Sequence, residues 1–259
     1  MFETVQYASA DGIGVLTLNR PERLNAVNTV MANELEAVAR QLRDEHGLRV
    51  LIVTGAGRVF CAGADIAALE TLKSADAPYR FLAGLQLAFN AIEALPLPTI
   101  AAVHGLAYGG GCELALACDF RVLSAEARLG VPEIKLGLLP GAGGTQRLAR
   151  LLPAAIAKQM IYFGEPLAAE RALSLGLINA VVPSGEVLQE ARIWAARLAE
   201  LPPLALRSAK LLVHGASFNG LVNGIEAERQ AVSYLFQTED AHEGIQAFLD
   251  KRAPNFQGS

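Results

Sequence analysis

The chain has 259 residues, 52% of them apolar and 6% aromatic, enough for one large aliphatic core or a core and a subunit interface, so one main domain with a helical appendage is expected. A formal net charge of -4 and a pI near 5.6, without a local Lys/Arg cluster, exclude the electrostatic footprint of a nucleic-acid binder. Cys61, Cys112 and Cys118 form neither a disulfide framework nor a C-x-x-C zinc pair, no apolar run nears the roughly 18 residues that span a bilayer, and no basic-then-apolar leader opens the chain, so a cytoplasmic protein without a membrane partner is expected.

In chain order, residues 2–8 and 13–18 alternate or run apolar around Asp11-Gly12 and predict a hairpin. Asn28 reads as the N-cap of a helix carrying Val30, Leu35, Val38 and Leu42 at helical spacing, stopped by Gly47. Residues 49–54 predict a short buried strand. The loop that follows, Gly55-Ala56-Gly57-Arg58-Val59-Phe60, lacks the third glycine of a dinucleotide fingerprint, and no G-x-x-x-x-G-K-[ST] phosphate loop occurs anywhere. A polar stretch at 73–78 reads as a loop, and a helix is expected over about 79–95, ended by Leu95-Pro96-Leu97-Pro98.

The most informative stretch comes next. Residues 100–103 predict a buried strand, after which Gly109, Gly110 and Gly111 lead into a helix through Glu113, Leu114, Leu116 and Ala117. A helix start has unpaired N–H groups and a partial positive charge, and glycines leave them uncovered, so a developing negative oxygen is held well there. The spacing puts the Glu113 carboxylate on the face of the Gly110 N–H. Strands are expected at 119–124 and 127–131, a helical turn from Pro132-Glu133, a glycine-rich loop over 137–144 and a helix over 145–151. Beyond 153 the pattern is helical, with one strand at 177–182 and helices at 186–201, 204–214, 221–238 and 240–252. Strand–helix alternation followed by helices points to an α/β core with a helical tail.

Glutamate in a first helical turn is favoured by the helix dipole alone, so Glu113 and Glu133 gain interest only from context. Glu113 follows three glycines among apolar neighbours, a setting that raises a carboxyl pKa toward acid/base range, and two carboxyl groups can hold one water between them. Ala64, between Gly63 and Asp65, exposes another backbone N–H; two such donors from separate loops make an oxyanion hole. Asp65 and Asp119 read as a cap and a strand-end partner. The dispersed His46, His104, His214 and His242 come without H-E-x-x-H or G-x-S-x-G, arguing against metal and serine-triad chemistry, and Cys112 reads as packing.

Asn19-Arg20-Pro21 with Leu24-Asn25-Ala26, Cys61-Ala62-Gly63-Ala64-Asp65-Ile66, His104-Gly105 through Gly109-Gly110-Gly111-Cys112-Glu113-Leu114, Pro132-Glu133, Pro140-Gly141-Ala142-Gly143-Gly144-Thr145-Gln146-Arg147-Leu148, and Phe248 through Lys251-Arg252 to Phe256 together resemble the enoyl-CoA hydratase, or crotonase, family, in its order and over nearly the whole chain. The resemblance implies an α/β fold, a crotonase-like spiral of ββα units over 1–200 and a helical trimerisation region over 201–259, assembled as a trimer or dimer of trimers. It also implies acyl-CoA thioester substrates. By motif position Ala64 and Gly110 match the oxyanion-hole donors and Glu113 and Glu133 the catalytic carboxylates. Arg23, Ala26, Ala62, Asp65 and Ile66 match CoA-contacting segments, and Phe248 and Lys251 match residues that in some members reach a neighbouring subunit's CoA. Ala67 stands where relatives often carry a lysine beside the CoA phosphate, leaving Arg23, Arg58 and Lys73 as candidate cations.

Members that only shift a double bond or cleave a thioester generally lack one glutamate of the pair. The expected activity is therefore reversible addition of water to the 2,3-double bond of a 2-enoyl-CoA, with no metal or cofactor beyond the CoA of the substrate. The rivals are a 3,2-enoyl-CoA isomerase or related acyl-CoA reaction, and a non-catalytic acyl-CoA or RNA-binding protein. The intact pair and the acidic pI argue against the last two.

Overall fold

The computed structural model describes residues 2–70 and 72–259. Strands β1 (Val5–Ala10) and β2 (Ile13–Leu18) form the expected hairpin, turned by Asp11 and Gly12 at φ of 53° and 75°, the left-handed pair whose twist suits a two-residue turn. The Asn28 side chain accepts the Met31 N–H at 2.9 Å and caps α1 (Thr29–Arg43), which buries Met31, Leu35, Val38 and Leu42. Then come β3 (Val50–Gly55), α2 (Ile66–Glu70), α3 (Ala77–Glu93), β4 (Thr99–Val103), β5 (Leu106–Tyr108), α4 (Gly110–Ala117), β6 (Phe120–Ser124) and β7 (Arg128–Gly130). A 3-10 turn (Pro132–Leu136) precedes α5 (Gly144–Leu151), α6 (Ala154–Phe163), β8 (Leu167–Ala168), α7 (Ala169–Ser174), β9 (Ala180–Val182) and α8 (Val187–Ala199). Helices α9 (Pro203–Gly215), α10 (Leu221–Leu235) and α11 (Glu239–Asp250) complete the chain.

The larger sheet runs β1-β2-β3-β4-β6-β9, parallel except for the β1–β2 hairpin; the smaller runs β5-β7-β8. Both faces of the larger sheet are covered, as parallel sheets require. Leu51 and Val53 of β3 join the core with Leu35 and Leu42 of α1 and Phe89 of α3, while the intervening Val50 and Ile52 pack with Val187, Ala191 and Ala195 of α8. The loops that follow β3 and β5 carry the glycine motifs.

Two expectations need correction, and three short elements were not expected. The strand expected over 177–182 begins only at Ala180, because Arg121 takes the preceding segment out of the ladder: its Nε donates to Leu177 O at 2.7 Å and its N–H to Asn179 Oδ1 at 2.9 Å. The helix expected from residue 79 starts at Ala77, with Pro78 in its first turn, where a missing N–H costs nothing. The sequence reading also passed over α2 and the short β5 and β8.

Candidate active site

Three-residue β5 assembles the site. On one side Cys61 bridges to Ala107, with the Cys61 N–H donating to Leu106 O and the Tyr108 N–H to Cys61 O, both at 3.0 Å. On the other side β7 pairs with it in parallel, and the Gly109 N–H donates to Gly130 O at 2.9 Å. Consequently the loop after Cys61, the start of α4 and the turn after β7 converge on one point. The packing tolerates no side chain at Gly111, where a Cβ would stand 2.3 Å from Cys61 O.

A Cβ on Gly110 would lie 3.5 Å from the Ala64 amide nitrogen, so the two motif amides are neighbours although they stand 46 positions apart in the chain. Val27 binds both neighbours of Ala64, donating to Gly63 O at 2.8 Å and accepting the Asp65 N–H at 2.9 Å, which turns the Ala64 N–H the other way. Gly110 opens α4, so its N–H has no helical acceptor and sits at the positive end of the dipole. Among the described residues neither N–H has an acceptor.

Glu113, 2% exposed, stands one turn into α4. Its Oε1 accepts the Ala142 N–H at 2.8 Å and the Gly144 N–H at 2.7 Å. Burial pushes its carboxyl pKa up, opposed by these two amides and by the charge of Arg147. Glu133 comes from the 3-10 turn after β7, with Oε1 2.9 Å from where a Cβ on Gly109 would stand. Its Oε2 is buried with no partner among the described residues. Burial, and the nearby Glu113 charge, raise its pKa to about 7 against the pull of its own backbone N–H. Two amide donors with unused hydrogen-bonding capacity, one anchored carboxyl and one poorly solvated carboxyl thus share a small volume.

Of the other predicted residues, Ala26, Ala62 and Asp65 lie on two loops knitted together, and Ile66 opens α2 directly after them. The Asn25 side chain donates to the carbonyls of Ala56, Val59 and Phe60, and the Ala62 N–H donates to Leu24 O at 3.0 Å. Asp65 is the cap it was expected to be, accepting the Ala67 N–H at 3.1 Å, and it pairs with Arg20 at 2.9 Å. Partial burial raises its carboxyl pKa, but Arg20 and the Ala67 and Ala68 N–H groups outweigh this and hold it low. Asp119 is the expected strand-end partner, accepting from Thr99 N and Oγ1 and from Lys210. Arg23, Arg58 and Lys73 are exposed. Phe248 and Lys251, at the end of α11, are exposed too, and no hydrogen bond or ion pair joins them to the two loops among the described residues.

The sequence reading missed Arg20, Asn25 and Arg147 as organisers of the site, although all three lie inside the quoted motifs. The three cysteines are buried, and burial raises each thiol pKa, that of Cys61 and Cys118 to about 12. Among the described residues no group of three or more His, Cys, Asp or Glu side chains is placed to hold a metal ion, and no helix is long and apolar enough to cross a membrane.

The sequence profile of the enoyl-CoA hydratase/isomerase family matches residues 8–259. A crotonyl-CoA hydratase of Syntrophomonas wolfei is 39% identical over 256 residues, 98% of each chain. A 2,3-dehydroadipyl-CoA hydratase of Escherichia coli is 43% identical over 252 residues, 94% of each. The crystal structure of an enoyl-CoA hydratase from Bacillus anthracis superposes with a TM-score of 0.95 at 36% identity, covering 99% of this chain and all of that one.

Proposed function

This chain belongs to the enoyl-CoA hydratase/isomerase family, and on that premise we propose that it adds water reversibly to the 2,3-double bond of a 2-enoyl-CoA, giving a 3-hydroxyacyl-CoA. The fold is the crotonase fold of its structural relatives. The observation that carries the reading is the pair of outward amides of Ala64 and Gly110 beside two carboxyl groups in unlike settings.

The thioester oxygen accepts both amides. As the water oxygen bonds to carbon 3, the alkene electrons move through carbon 2 onto the thioester oxygen, and each donor contributes on the order of 3 kcal/mol to the resulting enolate. Glu113, oriented through Oε1, takes a proton from the water. Glu133 gives its proton to carbon 2, and the enolate collapses to the thioester. The two carboxyls then hold the opposite protonation states, and dehydration runs the same steps backward. The scheme draws only on this chain, water and the CoA thioester.

Arg23, Ala26, Ala62, Asp65 and Ile66 would contact CoA, Asp65 chiefly through the loop it stabilises, since its carboxylate is engaged by Arg20. The apolar side chains left exposed on the last three helices, among them Val222 at 81% and Phe248 at 83%, support assembly with further copies as a trimer or dimer of trimers. In such an assembly Phe248 and Lys251 would meet a neighbouring copy's substrate. Residues 201–259 would then act as the assembly region of a cytoplasmic enzyme.

The test is turnover of crotonyl-CoA, followed by loss of the conjugated-thioester absorbance and by product analysis, beside a 3-enoyl-CoA. Hydration is expected to exceed double-bond migration, and Glu113→Gln and Glu133→Gln each to lower it by more than about a hundredfold. Faster migration than hydration, or near-normal turnover in either variant, would contradict the reading.

A further inference from the structure

Arg147 is buried, 6% exposed, midway along α5. A buried guanidinium in that position needs specific partners, and it has three. Its Nη2 donates to Asn90 Oδ1 at 2.7 Å and to Glu93 Oε2, its Nε to the same Glu93 oxygen at 3.2 Å, and its Nη1 to Ala142 O at 3.0 Å. The first two lie on α3, the third on the turn before α5.

That turn is the one that holds Glu113. The Ala142 and Gly144 N–H groups both point at Glu113 Oε1, while the Ala142 carbonyl points away, to Arg147. A Cβ on Gly143 would sit 2.1 Å from Arg147 Nη1, so the guanidinium is packed directly against the turn. A second tie, from Gln86 Nε2 to Gly141 O at 2.7 Å, also comes from α3. Helix α3 therefore braces the turn through Arg147, and the turn braces the carboxylate.

We infer that Arg147, anchored by Asn90 and Glu93, is a positioning residue that fixes the Ala142–Gly144 turn and through it the orientation of Glu113 Oε2 toward the reacting water. The inference rests on the reading of Glu113 as base. Arg147 acts through the turn, since its guanidinium is engaged by Asn90, Glu93 and Ala142. Its charge also favours the ionised form of Glu113, so losing it alters both the placing and the protonation of the base.

The experiment measures the kcat and KM of the full-length enzyme on crotonyl-CoA across pH for Arg147→Met and Arg147→Lys, with Glu113→Gln as control. Arg147→Met is expected to lower kcat about tenfold to a hundredfold with KM changed less than about threefold. Its acid limb is expected to move to higher pH, because a base without its neighbouring cation is protonated sooner. Arg147→Lys, which returns the charge without the planar fork, is expected to restore the acid limb and only part of kcat. Unchanged kcat in Arg147→Met, or a fall with the acid limb in place, overturns the inference. Near-normal turnover in Glu113→Gln overturns the reading beneath it instead. Should Arg147→Met be insoluble, Glu93→Gln decides: a threefold to tenfold fall in kcat at constant KM supports the positioning role, and an unchanged kcat overturns it.

Discussion

The neighbourhoods of Glu113 and Glu133 place the same functional group in unlike hands. Glu113 has one oxygen fixed by two amides, a guanidinium behind the turn that supplies them, and a helix to hold its backbone. Glu133 stands in a 3-10 turn with a buried oxygen that has no partner among the described residues, and burial takes its pKa to about 7. Burial raises both, opposed at Glu113 by the Gly144 and Ala142 amides and the Arg147 charge, and at Glu133 by its own backbone N–H. On the proposed scheme this difference divides the work between two identical side chains: donors and a cation oppose the effect of burial at Glu113, the base, while Glu133, the acid, keeps its proton to near neutrality.

The largest expected effect from breaking this contrast comes from crowding the turn that serves Glu113. A Cβ on Gly144 would stand 2.9 Å from Glu113 Oε1 and 3.1 Å from its Cγ, so Gly144→Ala must displace the carboxylate or the amides that hold it. Steady-state kinetics on crotonyl-CoA are expected to give kcat lower by about a hundredfold, as a misplacement near 1 Å typically costs. An undisturbed kcat would mean that the turn does not position the base.

A smaller effect sharpens the contrast at Glu133. On the proposed scheme hydration needs Glu133 protonated and Glu113 ionised, and dehydration the reverse, so both directions start from a pair holding one proton in total. With the Glu133 pKa raised to about 7, that proton is retained up to neutrality and lost above it. The kcat/KM for hydration and for dehydration are therefore expected to fall together above about pH 7, by up to about tenfold per pH unit. Two limbs at different pH in the two directions, or a flat profile to pH 9, would contradict the assignment.

Much of this site was legible in the sequence, and the parts that were not have a common physical reason. The hairpin at Asp11-Gly12, the Asn28 cap and the glycine start of α4 depend on residues a few positions apart, and each formed as expected. The two glutamates and the two amides were marked by motifs. Short β5 carries no readable period, and its meaning lies in partners as distant as Cys61 and Arg128. Arg147 sat in full view within a motif, but its role appears only when Asn90, Glu93 and Ala142 meet around it. Arg20 also lies within a motif, but its ion pair with Asp65 exists only once the two loops are folded side by side.

The division of labour between the carboxyls is tested most directly by deuterium exchange at carbon 2 of butyryl-CoA, a saturated thioester that offers water no alkene. Exchange needs the two amides and Glu133 in its ionised form, but not Glu113. In deuterium oxide the wild-type enzyme and Glu113→Gln are expected to exchange that proton at rates within about tenfold of each other, rising through about pH 7 as Glu133 ionises, while Glu133→Gln loses more than about a hundredfold. Exchange abolished in Glu113→Gln and retained in Glu133→Gln would contradict the assignment of base and acid.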